Sequence, residues 1–139
     1  MHGLHLTADL QGCRSDRPVM TEPAVLRDAC LAAVRSAGLH AVGELFHRFE
    51  PAAGNATAIA ASGPTGVTGV VLLAESHLAV HTWPELGQVT LDVYVCNRDV
   101  DNSGRAEHVF ATLLAAFDAA AVERHRLERG APPAAAGTA

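Results

Sequence analysis

The chain has 139 residues, 49% of them from the apolar set AVILMFWYC and 18% charged. That length and composition fit one compact domain with a buried core and exclude both a disordered chain and a two-lobed enzyme. Lys plus Arg is 10 against 15 for Asp plus Glu, a formal net charge of −5 without any basic cluster, which argues for a small-molecule partner and against nucleic acid or an anionic membrane.

The segment Gly3 to Asp9 reads as a short strand. Thr21 caps a helix with Glu22 and Pro23 in its first turn, after which Val25, Leu26, Ala29, Cys30, Ala33 and Val34 recur at helical spacing until Gly38. Extended segments follow at Leu39 to Phe49, Val67 to Ala74, His77 to Thr82 and Val89 to Cys96. A second helix starts near Asn102 or Ser103 with Ala106, Val109, Phe110, Leu113, Leu114 and Phe117 as its apolar stripe, and a last strand covers Ala121 to Leu127. The order β-α-β-β-β-β-α-β predicts an α+β fold, a two-layer sandwich whose mainly antiparallel sheet carries two helices on one face. Its other face then needs a partner or a ligand.

The single domain is expected to span 1–129. Glu50 to Thr65, rich in Ala, Gly and Pro, reads as a solvated insertion, and Gly130 to Ala139 as a disordered, low-complexity tail. Cys13, Cys30 and Cys96 are odd in number and lack a C-x-x-C spacing, so neither a disulfide framework nor a cysteine zinc site is expected. The N-terminus does not resemble a signal peptide and no window approaches the ~18 apolar residues of a membrane span, so a cytoplasmic location is expected.

Reactive side chains concentrate in Ala74-Glu75-Ser76-His77-Leu78-Ala79-Val80-His81-Thr82-Trp83-Pro84-Glu85. Strand alternation puts His77, Ala79 and His81 on one face, and on the next strand Thr90, Asp92, Tyr94 and Cys96 alternate with Leu91, Val93 and Val95. A His- and Cys-lined pocket follows if the two polar faces coincide. The i, i+4 spacing of His77 and His81 suits a metal only on a helix, whereas Val80, Thr82 and Trp83-Pro84 favour strand and a third ligand is missing. A Ser-His nucleophile pair is chemically sound, but there is no Gly-x-Ser-x-Gly elbow. The bland alternative is a set of satisfied polar residues on a half-exposed sheet.

Val67-Thr68-Gly69-Val70-Val71, the Glu75-Ser76-His77 and His81-Thr82-Trp83-Pro84-Glu85 pair, and Asp92-Val93-Tyr94-Val95-Cys96 together closely resemble the prokaryotic S-adenosylmethionine decarboxylase proenzyme family. Gly3-Leu4-His5-Leu6, Cys13 and Phe46-His47-Arg48-Phe49 extend the resemblance from about Gly3 to about Gly130. It implies self-cleavage between Glu75 and Ser76, giving a 1–75 β chain and a 76–139 α chain whose Ser76 becomes a pyruvoyl group, so that no metal or external cofactor is needed. Thr68, where the family usually has serine, and His81 would assist processing. In turnover the pyruvoyl ketone would form a Schiff base with the substrate amine, and Cys96 would protonate the carbon left by CO₂.

The resemblance further implies that Phe49 and His81 flank adenine, that Glu85 binds the ribose hydroxyls, and that cleaved protomers pair as a homodimer. The product would be the aminopropyl donor for spermidine. The inserted Glu50 to Thr65 run, and Asn97 where glycine is common, depart from the family pattern near the adenosyl pocket rather than in the processing machinery. The alternatives are the same chemistry on ornithine or arginine, and an unprocessed, non-catalytic homologue.

Overall fold

The structure, a computed structural model, describes residues 1–49 and 65–130. The expected insertion and tail, apart from Thr65 and Gly130, lie outside the described residues. The elements run β1 (Gly3–Gln11), α1 (Pro18–Thr21), α2 (Pro23–Ser36), β2 (Ala41–Arg48), β3 (Val67–Leu73), β4 (Ser76–Trp83), β5 (Gln88–Cys96), α3 (Ser103–Phe117) and β6 (Ala121–Arg129). All strands join one antiparallel sheet in the order β2-β3-β4-β5-β1-β6.

Period-two burial on β1, β3, β4 and β5 decides which face is covered. Leu4, Leu6, Ala8 and Leu10 join Val71, Leu78, Val80, Leu91, Val93 and Val95 on the buried face. Against them pack Leu26, Cys30, Ala33 and Val34 of α2 and Val109, Phe110, Leu113 and Phe117 of α3. Each large side chain so buried contributes about 1.5–3 kcal/mol of apolar transfer free energy. Burial also pushes the Cys30 thiol up to about 12, so it acts as a packing group and not as a nucleophile. No described helix is long and apolar enough to cross a membrane.

Thr21 is not the helix cap that the sequence predicts. It ends the short α1, whose Val19 and Met20 are buried, and Glu22 is the N-cap of α2 with Pro23 in its first turn. A one-turn helix has too few residues to show periodicity, and Pro18 and Pro23 both fit first-turn positions where a missing N–H costs nothing.

Two of the sequence motifs turn out to hold the layers together. Thr82, the one buried polar residue among those described, donates from Oγ1 to the Met20 carbonyl at 2.7 Å and accepts from the Val67 N–H at 2.9 Å. It therefore ties β4 to α1 and to β3. In Phe46-His47-Arg48, Phe46 lies over Gly69, where any Cβ would stand 2.1 Å from the ring, and Arg48 donates to the Thr21 carbonyl and to Glu22.

Thr82→Val keeps the volume and strands both partners of the hydroxyl. It should lower unfolding free energy by about 1–3 kcal/mol, read as a fall in the urea midpoint at unchanged slope.

Candidate functional site

β3 and β4 are joined by a two-residue reversal, Ala74-Glu75, with Leu73 paired to Ser76 across it. Glu75 has φ 54°, a left-handed conformation that costs a residue with a Cβ roughly 1–2 kcal/mol. Strain is thus stored in the residue on the acyl side of the Glu75–Ser76 bond. Ser76 Oγ accepts a hydrogen bond from the Cys96 N–H at 3.0 Å, which fixes the side chain while leaving its own proton free. Cys96 is 8% exposed at the end of β5. Ser76 and Cys96 are therefore in contact, with Glu75 next to them in the turn.

The remaining predicted residues gather at the opposite end of β4. Thr68 pairs with His81 across β3–β4, and Thr68 Oγ1 lies 3.1 Å from His81 Nδ1. Trp83, to which the sequence reading gives no role, has its ring centroid 6.1 Å from that of His81 and 6.3 Å from that of Phe49. The Phe49 N–H donates to the Gly66 carbonyl at 2.8 Å, continuing the β2–β3 ladder. Glu85 is exposed in the turn that follows Trp83.

Within one chain these two groups do not meet. Ser76 and His81 are five residues apart on a strand, hence separated by ~16 Å at the usual rise. The same geometry excludes His77 and His81 as ligands of one ion, because four strand residues span ~13 Å.

The face that the helices leave open carries a polar network whose connections are not evident from the sequence. His5 Nε2 lies 2.9 Å from Asp92 Oδ2, His77 Nε2 lies 3.5 Å from the same oxygen, and Arg129 Nη1 lies 2.9 Å from His5 Nδ1. Arg129 can only donate, so His5 Nδ1 accepts and His5 Nε2 carries the proton given to Asp92. Ligand atoms of His5, His77 and Asp92 fall within 4.8 Å of one another. In this arrangement the lone pair of His5 is taken by the guanidinium and its other nitrogen is protonated, so both ring nitrogens of His5 are already engaged. Tyr94 packs on both rings, 5.9 Å from His5 and 5.5 Å from His77.

Comparison with known proteins gives the family. Residues 4–130 match the family described as S-adenosylmethionine decarboxylase. The S-adenosylmethionine decarboxylase proenzyme of Archaeoglobus fulgidus is 32% identical over 128 residues, covering 92% of this chain and 97% of that one. The proenzyme of Aquifex aeolicus is 38% identical over 112 residues, covering 81% and 71%. The crystal structure of the Aquifex aeolicus adenosylmethionine decarboxylase superimposes with a TM-score of 0.74 at 30% identity, over 92% of this chain and 90% of that one.

Relief of the left-handed strain gives a direct test of the turn. In a Ser76→Ala background, Glu75→Gly should raise stability by about 0.5–1 kcal/mol, the strain relieved minus the extra chain entropy of glycine, measured by thermal or urea unfolding.

Proposed function

The chain belongs to the S-adenosylmethionine decarboxylase family, and from that premise we propose that it matures by cutting itself at the Glu75–Ser76 bond and works as a pair of copies. The activity is the removal of carbon dioxide from S-adenosylmethionine. The observation that carries the maturation step is the strained Glu75 beside a Ser76 Oγ held by the Cys96 N–H.

Ser76 Oγ attacks the Glu75 carbonyl carbon, the Glu75–Ser76 C–N bond breaks, and the hydroxyl proton ends on the Ser76 nitrogen, converting the amide to an ester. A base then removes the Ser76 α-proton, and β-elimination expels the Glu75 carboxylate. Tautomerisation and hydrolysis release ammonia and leave a ketone at the new N-terminus. The imidazole of His81, with Thr68 fixing its Nδ1 side, is the base for the α-proton. When formed, the pyruvoyl ketone supplies the electron sink that pyridoxal phosphate supplies in other decarboxylases. Cys96 Sγ holds the proton for the carbon that loses CO₂.

His81 of the same chain is too far from Ser76 to do this. A twofold pair of copies with the open faces opposed, and the axis crossing near the Ala79–Asp92 pair, would bring the Ser76–Cys96 end of one copy to the Thr68–His81 end of the other. Phe49, Trp83 and His81 then form the aromatic wall for the adenine ring and Glu85 the carboxylate for the ribose hydroxyls. An isologous contact is supported by the open face itself, which no described helix covers and which exposes Leu45 and Leu72 near one edge and Leu127 near the other.

Cleavage would not release the pieces. Strands β1, β2 and β3 belong to 1–75 and β4, β5 and β6 to 76–139, and β1 is hydrogen-bonded on both sides by strands of the second piece.

Wild-type protein should run as two chains after denaturation and as one particle before it, while Ser76→Ala stays a single chain. His81→Ala should stall as an ester that hydroxylamine cuts. Because Ser76→Ala retains His81, co-expressing the two variants should restore cleavage of the His81→Ala chain. Uncut His81→Ala chain in verified mixed dimers would refute the shared site.

A further inference from the structure

We infer that Asn102 is a positioning residue that aims the Cys96 N–H at Ser76 Oγ, an inference that rests on Ser76 being the residue that cuts the chain. In an antiparallel sheet the N–H and C=O of one strand residue point toward the same neighbouring strand. The Asn97 N–H bonds the His2 carbonyl on the β1 side at 2.7 Å, so the N–H and C=O of Cys96 both face β4. Strand β4 begins only at Ser76, and the residue that would pair with Cys96 is Glu75, which has turned away in the left-handed conformation. Two side chains take the vacant places. Ser76 Oγ accepts from the Cys96 N–H at 3.0 Å, and Asn102 Nδ2 donates to the Cys96 carbonyl at 2.9 Å.

Asn102 is itself fixed from two other directions. Its N–H donates to Asn97 Oδ1 at 2.7 Å, and its Oδ1 accepts from Arg105 Nη1 at 2.8 Å. A guanidinium beside the oxygen and a carbonyl beside the nitrogen also settle which way the amide points. Asn97 completes the frame by donating from Nδ2 to Ser103 Oγ at 3.0 Å. The residue that stands where glycine is common thus serves to hold Asn102, and the 96–97 peptide that follows the Cys96 N–H is clamped at both its ends, its N–H by the His2 carbonyl and its C=O by Asn102. Losing the Asn102 bond leaves that peptide held by His2 alone and loosens the adjoining Cys96 N–H, and with it the hydrogen bond that fixes Ser76 Oγ for its attack on the Glu75 carbonyl.

Asn102→Asp isolates this effect. An aspartate keeps the size, the contact to Arg105 and a good N-cap for α3, but it offers the Cys96 carbonyl a second acceptor in place of a donor. In cell-free synthesis followed by denaturing electrophoresis, the Asn102→Asp precursor should disappear about tenfold more slowly than wild type. Its melting temperature should match that of wild type, both compared in a Ser76→Ala background, and no hydroxylamine-sensitive ester should build up, because the loss falls before the ester forms. Arg105→Ala, which removes a partner of Oδ1 and spares the Nδ2 bond, should slow cutting far less than Asn102→Asp does. Cutting of Asn102→Asp at the wild-type rate, accumulation of its ester, or equal slowing by Arg105→Ala would overturn the inference while leaving the self-cleavage reading intact. A wild-type chain that never cuts would overturn both.

Discussion

The two-residue reversal at Ala74-Glu75 sets the register on which the rest of the site depends. A strand pair slipped by one residue would turn every side chain of β4 to the opposite face, burying His77 and His81 and exposing Leu78 and Val80. With Leu73 opposite Ser76, the hairpin instead places Thr68 opposite His81 and leaves β4 one residue short of pairing with Cys96. The left-handed Glu75 is the local cost of that register. It is tolerated because ladders to β3 and β5 hold both ends of the turn, as strained backbone requires.

The same sheet would let the proposed break in the chain coexist with an intact fold. Strand β1 comes from the N-terminal part and lies between β5 and β6 from the C-terminal part, so the backbone hydrogen bonds of two ladders cross the division. The core is also shared, with Leu4, Leu6 and Leu10 of the first part packed among Val93 and Val95, and Phe110 and Phe117, of the second. Losing one covalent link changes little in a structure whose cohesion is spread over a continuous apolar layer. By contrast, a site composed of residues at both ends of an eight-residue strand cannot be closed by local rearrangement. The proposed shared site would close it with a second sheet laid over the first, which in packed sheets lies ~10 Å away.

Residues adjacent in one motif serve separate ends. Of His81-Thr82-Trp83, alternation sends His81 and Trp83 to the open face and Thr82 into the core, where its hydroxyl bridges Met20 and Val67. The open face is not merely a surface awaiting a partner. Arg129, His5, Asp92 and His77 form a continuous polar line across β6, β1, β5 and β4, and it ends on the residue that follows Ser76. Polar groups so connected satisfy one another, which lowers the cost of covering them.

What the sequence by itself determined was everything governed by local periodicity or by side-chain chemistry. Alternating burial in β1, β4 and β5 and the stripes of α2 and α3 were legible because each element buries one face. The Glu-Ser-His and His-Thr-Trp-Pro-Glu runs carried the family because few chains combine those residues at that spacing. The one-turn α1 left no periodic trace, and β6, exposed along its whole length with Arg124 and Arg126 leaning toward Glu107, is a strand by pairing with β1 rather than by pattern. Only the tertiary structure decided that Ser76 and His81, close along the chain, stand far apart in space, and that Cys96, Asn97 and Asn102 close around Ser76. The physical reason is that an extended strand converts short sequence separation into distance, while hydrogen bonds between strands and loops join residues whose spacing carries no periodic signal.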